Sequence, residues 1–394
     1  MSASAAVGVA RRRADMPTRR ISAGRTEWMP LAALADFGDE WSDLVRRALE
    51  PNVFYDPAFA LPAARVFGAD AGAVLVWSKT VPQRLIGLFP ARVERRHGVL
   101  ATLTGWTHPY APFGAPLVDR EEAEAAIVAF LDRIEADDRL PKLVLLPFIA
   151  TEGPFMAILS RVLDRHGGAM ERFGAHARAL LAPAAEPHTY LDRSLTHKKH
   201  KELRRQRRRL LDRGQLRLLA AQTPDEIPRA LSEYLALEAG GWKGRAGTAA
   251  GQHADLRAFM QSAIESLAAD GHARIDRLMQ HGRPLAATIT LRSGATAWLW
   301  KIAYEEEVAR ASPGVQLALD VTEQLLAQPD ILRADSCATA DHPMIDHLWR
   351  ERLALADLMI APSAAARGQF AIMRRLEALR RALIAAAKRM RAEL

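Results

Sequence analysis

Residues 296–320, TAWLWKIAYEEEVARASPGVQLALD, contain an apolar strand-like segment, a short acidic connection and the start of a helix. Ser312 can cap that helix, Pro313 suits its first position because its missing N–H would be unpaired there anyway, and Gly314 lets a ligand approach the backbone. The free N–H groups and the dipole of a helix start favour an anion. A strand leading into such a start therefore predicts a phosphate site, although an ordinary capped helix has the same pattern.

Two phosphate-binding patterns, GxxxxGK[ST] and GxGxxG, are absent from the sequence. Their absence argues against a nucleotide hydrolase and against a dinucleotide-binding enzyme. The predicted phosphate site therefore belongs to another class of protein.

The elements around residues 296–320 occur twice along the chain in a similar order. Each half reads as helices, antiparallel strands, a helix, a strand, a helix and a strand. This order predicts an α+β fold of two related domains in tandem, followed by a terminal amphipathic helix. The predicted divisions are a disordered leader (1–25), an N-terminal domain (26–185), a C-terminal domain (186–362) and the terminal helix (363–394). For the leader, an organellar transit peptide is the rival interpretation.

The composition limits the possible classes of protein. The 394 residues include 49% apolar side chains, enough for a large core, and a single cysteine, Cys337, which excludes an intramolecular disulfide. The sequence contains no apolar run long enough to cross a membrane, and we expect a cytoplasmic protein. His342 and His347 are five residues apart and face different sides of a helix, so no metal site is expected.

Four ordered segments resemble a known family: LEAGGWKGRAGTA, HGRPLAATITL, WKIAYEEEVARASPGVQL and DSCATADHPMIDHLWRERLAL. Together they are similar to the FemAB-like branch of the GNAT acyltransferases, the kind found beside cellulose and exopolysaccharide synthesis genes. The resemblance covers roughly residues 190–361, and a further similar segment, GWTHPYAPFGAPLVD, lies in the first half. It implies two GNAT-like domains and an acyl-coenzyme A donor, such as acetyl-coenzyme A. Glu305 and Ala311 depart from the family pattern.

The resemblance also implies roles for individual residues. The SPG segment occupies the position where GNAT enzymes hold the donor's pyrophosphate through backbone N–H groups, and a lysine on the preceding strand would add charge. The residues predicted to bind the donor are Lys301, Ser312, Gly314, Val315 and Gln316.

Acyl transfer also needs a base for the nucleophile and an acid for the leaving thiolate. His342 is our first choice of base, because a helix predicted to begin at Pro343 would disfavour the charged imidazolium; a capping role without catalysis is the alternative. Asp335 and Asp341 are the next choices. Tyr304, at the end of the strand, is the candidate acid, although tyrosines at strand ends are usually structural.

Residues 197–210, HKKHKELRRQRRRL, carry eight Lys or Arg and one acid. Thr196, Leu203 and Leu210 form a narrow seam on a helix, so most of the positive side chains must face water. We predict a docking surface for an acidic acceptor, an anionic headgroup or coenzyme A phosphates, with Arg204 and Arg208 as contacts; a solvated face without a ligand is the alternative. Trp242 and Lys243, in a break between helices, are the other predicted substrate contacts; a Trp242 buried under a loop is the alternative.

Three functions remain open from the sequence. The first is an N- or O-acyltransferase acting on a small-molecule, sugar or lipid acceptor, with polysaccharide or cell-envelope synthesis as the setting that the resemblance implies. The second is a Fem-type transferase using aminoacyl-tRNA, or an RNA-binding protein, through the basic helix; that helix lacks the aromatic side chains that stack on bases. The third is an inactive assembly partner of a polysaccharide synthase.

Overall fold

The computed structural model describes residues 23–392, apart from residues 97, 99 and 183–188. Within that range, thirteen strands form one mixed sheet. The strands are β1 (Thr26–Pro30), β2 (Ala71–Trp77), β3 (Leu85–Arg96), β4 (Leu100–Gly105), β5 (Leu117–Val118), β6 (Val144–Ala150), β7 (Ala169–Leu181), β8 (Leu216–Ala221), β9 (Ala273–Gln280), β10 (Arg283–Ser293), β11 (Thr296–Tyr304), β12 (Arg333–Asp335) and β13 (Glu351–Ala361). Residues 1–22 of the predicted leader and the predicted boundary at 185 and 186 lie outside the described residues.

Helices cover the sheet and connect its strands. They are α1 (Gly38–Arg47), α2 (Pro57–Phe67), α3 (Ala123–Ala136), α4 (Pro154–His166), α5 (Tyr190–Ser194), α6 (His197–Leu211), α7 (Ile227–Gly240), α8 (Trp242–Arg245), α9 (Ala254–Ala269), α10 (Pro313–Leu326) and α11 (Arg367–Ala392). The predicted α+β class is confirmed.

The two halves of the sheet have a similar strand order when each is followed from its outer edge towards the centre. It runs β1-β2-β3-β4-β6-β13-β7-β12-β11-β10-β9-β8, with β5 paired to β3. In each half, consecutive antiparallel strands lead to a parallel pair, β4 with β6 and β11 with β12. A parallel pair needs a crossover connection, and α3 and α10 lie in these two crossovers. The two similar halves predicted from the sequence are therefore present.

The last strands of the two halves are exchanged at the centre of the sheet. β13 lies between β6 and β7, and β7 in turn lies between β13 and β12. The antiparallel pairing of β7 with β13 extends from Ala169↔Ala361 to Leu180↔Glu351. Each half therefore depends on the other for the hydrogen bonds of its last strand.

A buried ion pair joins the exchanged strand β7 to the second half. Arg178 on β7 pairs with Asp335 at the end of β12, and both side chains are almost fully buried. The Arg178 guanidinium also donates to the carbonyl of Pro112 at 2.9 Å. Asp335 accepts in addition from the Cys337 N–H at 2.9 Å. The pair therefore fixes the chain where it leaves β12.

The apolar core continues across the two halves. Phe59 of α2 packs edge-on against Phe259 of α9, with ring centroids 5.4 Å apart, and against Trp300 of β11 at 5.5 Å. All three rings are buried. Because burying an aromatic ring removes a large apolar area from water, this contact stabilises the packing of one half on the other.

Two local predictions are confirmed. The turn HGRP joins β9 to β10, with His281 and Gly282 in the left-handed region at φ values of 50° and 76°. The basic segment forms α6, in which the Thr196 side chain accepts from the Lys199 N–H at 3.3 Å. Leu203 and Leu210 are its two buried side chains, so the predicted narrow seam is present.

The helix predicted to begin at Pro343 does not form. Only a 3-10 turn at Ile345–His347 is present there. The chain instead turns so that Ile345 and Trp349 are buried, and the His342 ring nitrogen Nδ1 accepts from the Met344 N–H at 3.3 Å. The helix dipole that was expected to act on His342 is therefore missing.

Replacing Arg178 by Met should lower the free energy of unfolding by about 3–5 kcal/mol, because it leaves the Asp335 carboxylate buried without its partner. Urea denaturation measures this loss. Adding Asp335→Asn should restore part of it by removing the buried charge. Arg172→Met, at an exposed position of the same strand, is the matched control and should change stability by less than about 0.5 kcal/mol. Equal losses in the Arg178 and Arg172 variants would contradict the prediction.

Candidate functional site

The parallel strands β11 and β12 pair over only three residues before they separate. Their register runs from Thr296↔Arg333 to Trp298↔Asp335. β11 continues to Tyr304, whereas the segment that follows β12 leaves the sheet at Cys337, whose φ is 52°. The C-terminal half of β11 therefore borders an opening in the sheet, at the position where ligands bind in many parallel sheets.

The corresponding point in the first half is closed. β4 and β6 also pair over a short stretch, from Leu103↔Val144 to Thr104↔Leu145. A side chain at Gly114 would overlap the Pro147 carbonyl, and one at Gly105 would meet the Pro147 ring at 3.1 Å. The backbone is thus packed tightly there, and this contrast makes the β11 side the better candidate for a functional site.

A loop from the first half (residues 106–116, here the first-half loop) reaches the β11 opening. The Asn52 side chain holds it by donating to the carbonyls of Phe113 and Ala115 at 3.3 and 2.8 Å. Its His108 ring stacks on Phe67, with centroids 4.3 Å apart, and burial lowers the pKa of His108 to about 3. This histidine is therefore neutral at physiological pH and acts in packing.

Lys301 on β11 points to the first-half loop. Its ammonium lies 4.1 Å from the ring centroid of Tyr110, and the Trp300 indole donates to the Tyr110 carbonyl at 2.8 Å. Burial and the nearby Lys243 charge lower the pKa of Lys301 to about 8, against a smaller opposing effect of Glu238. Among the described residues, no hydrogen bond or ion pair to this ammonium is present, so its charge is available to an anion.

An open cleft of about 290 Å³ lies beside the end of β11. Its walls come from α7, α8, the last residues of β11 and the connection to α10; the lining residues are Leu237, Glu238, Gly241, Trp242, Lys243, Ile302, Ala303, Tyr304 and Glu306. Trp242 is 57% exposed, which is unusual for so large an apolar side chain. The predicted contacts Trp242, Lys243 and Tyr304 are therefore brought together in one cleft.

Glu238 organises the floor of this cleft. Its carboxylate accepts from the Lys243 ammonium at 2.8 Å, from the Ala250 N–H at 2.8 Å and from the Tyr234 hydroxyl at 3.1 Å. Burial raises the pKa of Glu238, but the hydrogen bond and charge of Lys243 outweigh that effect and hold it below the usual range. Glu238 is therefore ionised and fixes Lys243 at the cleft wall.

The start of α10 lies on the far side of Tyr304. Ser312 has a left-handed φ of 51°, and its side chain makes no capping hydrogen bond. A Cβ at Gly314 would lie 3.2 Å from the Tyr304 ring, so glycine allows that ring to pack on the helix start. Among the described residues, nothing accepts a hydrogen bond from the N–H groups of Gly314 and Val315. None of the SPG residues lines the cleft itself.

The side chain of Gln316 is not free to bind a donor. It is buried, and its amide donates to the Leu203 carbonyl of α6 at 3.1 Å. Arg207 of α6 pairs with Asp320 of α10 at 2.9 Å, so the basic helix packs along the same helix. Arg204 and Arg208 point to solvent, do not line the cleft, and have no partner among the described residues.

The three residues predicted as a base also lie outside the cleft. Asp335 is held in the buried pair with Arg178, Asp341 is exposed in the loop after β12, and His342 accepts the local hydrogen bond from Met344. The structure thus groups Lys301 with Trp242, Lys243 and Tyr304 and separates them from these three residues.

Glu238 and Tyr110 were not predicted from the sequence. Both occur within segments that carry the family resemblance, LEAGGWKGRAGTA and GWTHPYAPFGAPLVD. Those segments were the only available signal, because the placement of Tyr110 within electrostatic reach of Glu238 depends on the assembled sheet. Across the described residues, no group of three or more potential metal ligands is present, and no helix meets the length and apolarity needed to span a bilayer.

The pKa of Lys301 can be measured directly by carbon-13 NMR after reductive methylation of the lysines. The signal missing from a Lys301→Arg variant should titrate with a midpoint near 8, because burial disfavours its charged form. A midpoint near the ordinary 10.5 would show that the ammonium is well solvated and would contradict this description.

Comparison with known proteins gives a family match in the second half of the chain. Residues 197–342 match the family model described as Acetyltransferase (GNAT) domain. A search of curated protein sequences gave no significant match. The matched range begins with α6 and includes β11 and α10, the elements that form and border the cleft.

Solved structures show the same fold over most of the chain. The C-terminal domain (DUF2156) of a putative lysylphosphatidylglycerol synthetase from Agrobacterium fabrum gives a TM-score of 0.54 at 14% identity, covering 86% of this chain and 95% of that one. The structure of FemX gives a TM-score of 0.54 at 10% identity, and the match covers 82% of this chain and 95% of that one. A conserved protein of unknown function from Bacteroides thetaiotaomicron gives a TM-score of 0.52 at 12% identity, and the match covers 85% of this chain and 99% of that one. The match of residues 197–342 to a GNAT acetyltransferase domain therefore supports the predicted acyltransferase.

Proposed function

We propose that the protein transfers an acyl group from a coenzyme A thioester to an amino or hydroxyl acceptor in the cleft beside β11. The separation of β11 from β12 next to the free N–H groups at the start of α10 is the observation that carries this proposal. It supplies an opening for a long thioester arm and an anion site at its edge. Acetyl-coenzyme A is the simplest donor with that chemistry.

The donor's diphosphate would be held at the start of α10 by the free N–H groups of Gly314 and Val315. Two features support this: the dipole of a fourteen-residue helix and the unpartnered N–H groups of its first turn. Tyr304 packs beside Gly314, so the thioester arm would pass the Tyr304 ring to reach the cleft. The N–H groups of Ser312 and Gln316 donate to the carbonyls of Ala309 and Ser312 at 2.9 and 3.0 Å, and the Gln316 side chain is bonded to α6, so these two predicted contacts would border the anion without donating to it.

The charges in the cleft and on the adjoining part of β11, where Lys301 lies, match the needs of acyl transfer. As the acceptor attacks the thioester carbonyl, negative charge develops on the carbonyl oxygen, and a preorganised cation stabilises it. Lys301 has an ammonium without a partner among the described residues, and Lys243 is held in place by Glu238. The carbon–sulfur bond then breaks, and the Tyr304 hydroxyl, partly exposed at the cleft, would protonate the departing thiolate and regain a proton from solvent.

The acceptor is proposed from the exposed surface of the cleft. Trp242 offers an apolar face beside the Lys243 cation, an arrangement that suits a sugar ring or another flat polar molecule carrying negative charge. Together with the resemblance to the FemAB-like branch, this supports an acceptor from polysaccharide or cell-envelope synthesis. His342 and Asp341 lie outside the cleft, so the acceptor's proton would pass to solvent at its open mouth.

Calorimetry with acetyl-coenzyme A tests the donor site. Lys301→Met should weaken binding roughly tenfold or more, because it removes a charged contact to an anion. Gly314→Trp should abolish binding by filling the helix start, whereas Gly368→Trp, at an exposed site with open space around it, should have no effect. Thermal denaturation of each variant separates lost binding from lost folding. If the wild-type protein does not bind the donor, the proposal fails; binding without turnover on a panel of acceptors would favour an inactive assembly partner.

Donor affinity should also depend on pH. The folded protein's Lys301 loses its proton as the pH rises through about 8, so affinity for the anionic donor should fall across that range. The Lys301→Met protein should lack this step. The range from pH 7 to 9 extends roughly one unit on each side of the Lys301 pKa. A wild-type affinity that stays constant across it would argue against contact between Lys301 and the donor.

A second candidate, transfer from aminoacyl-tRNA, rests on the exposed cations of α6. Six of its basic side chains have no hydrogen-bond or ion-pair partner among the described residues: Lys198, Lys199, Lys201, Arg204, Arg208 and Arg209. Such a row would neutralise several RNA phosphates. Affinity for tRNA that falls steeply with salt and is lost in Arg204→Gln, Arg208→Gln would favour this donor. The same loss in a control variant, Arg374→Gln, Arg375→Gln on α11, would show only general attraction to a basic protein.

A further inference from the structure

The C-terminal helix α11 is fixed to the body by its first turns. Phe370 and Met373 are buried against residues of β6 and β13. The buried Glu377 accepts from Arg381 at 2.6 Å and lies 3.4 Å from Arg96 of β3. Arg381 also donates to Asp357 of β13 at 2.9 Å. These contacts set the orientation of the helix and determine which of its faces points away from the protein.

A stripe of large apolar side chains follows the outward face of α11. Ile372, Leu379, Leu383 and Met390 are 52%, 59%, 63% and 60% exposed. Their spacing of seven, four and seven residues places them in one line along a helix. With 100° between successive residues, this line is about a third of a turn away from Phe370, Met373 and Glu377. The stripe is therefore a second apolar face, one that does not pack on the described body.

Positive charge surrounds this stripe. Between residues 367 and 392, the helix sequence has eight Arg or Lys and a single acid, Glu377, which is buried. Arg375 and Arg380 flank the stripe on its two sides. Arg380 pairs with Glu377 at 3.4 Å, whereas Arg375 has no partner among the described residues. The outward face of α11 thus combines exposed apolar side chains with the unpaired cation of Arg375 and the exposed edge of Arg380.

This charge pattern distinguishes between possible occupants. In a second copy of the chain, packed stripe against stripe, arginines would face arginines, and the helix offers no exposed acid to pair with them. A surface of anionic phospholipids accepts the apolar side chains below its headgroups and pairs the arginines with phosphates. We propose that the outward face of α11 docks the protein on an anionic lipid bilayer, with the helix lying in the plane of the surface.

Vesicle flotation tests the proposal with the full-length protein. We expect it to bind vesicles of equimolar phosphatidylglycerol and phosphatidylcholine and not vesicles of phosphatidylcholine alone. Leu379→Gln, Leu383→Gln should lower the partition coefficient roughly tenfold or more, because binding depends on the buried apolar area. Ala378→Gln, Ala382→Gln is the matched control: these exposed residues lie on the same helix outside the stripe, and the change should cost less than roughly twofold.

Three results would overturn the proposal. The first is equal binding of wild-type and Leu379→Gln, Leu383→Gln proteins, together with its loss in Arg204→Gln, Arg208→Gln, which would place the contact on α6. The second is binding to vesicles with and without phosphatidylglycerol alike, which would exclude a role for charge. The third is a wild-type dimer in analytical ultracentrifugation that the leucine variant dissociates, without vesicle binding, since a second copy would then cover the stripe.

Discussion

The exchange of β7 and β13 at the centre of the sheet is the constraint on which the rest of the structure depends. Because each of these strands lies between strands of the other half, the sheet is continuous only when both halves are folded. The buried pair of Arg178 and Asp335 crosses the same junction, and Asp335 ends the short strand β12. The opening beside β11 therefore owes its shape to a strand that comes from the first half of the chain.

The cleft depends on the first half in a second way. The first-half loop supplies Tyr110, whose ring and carbonyl hold Lys301 and Trp300. Without that loop, the Lys301 ammonium would be more exposed to water, and burial would lower its pKa less. Two cations, Lys243 and Lys301, then share one small region with Glu238, while Glu306, the second acid of the cleft, pairs with Arg245 at 2.6 Å. A site with such an excess of positive charge is suited to anions, and this is a property of the assembly of both halves.

The sequence predicted what depends on local pattern. The HGRP turn, the α6 seam of Leu203 and Leu210, and the helix start at Pro313 all follow from side-chain periodicity or turn chemistry within a few residues. The repeated order of elements correctly predicted two similar halves. The exchange of the last strands was not predicted, because pairing between residues 169 and 361 leaves no local signal. Glu238 and Tyr110 were missed for the same reason, and the helix at Pro343 was predicted wrongly because burial of Ile345 and Trp349 outweighed local propensity.

The strand exchange also has a consequence for folding during synthesis on the ribosome. The slot between β6 and β7 is filled by residues 351–361, which are synthesised about 170 residues after β7. Until that last strand leaves the exit tunnel, β6 keeps an unpaired edge, and β7 lacks β13 as a partner. Unpaired strand edges favour aggregation. The chain therefore completes its sheet only after residue 361 has left the tunnel, and we expect its yield in cells to depend on chaperones that shield these strands.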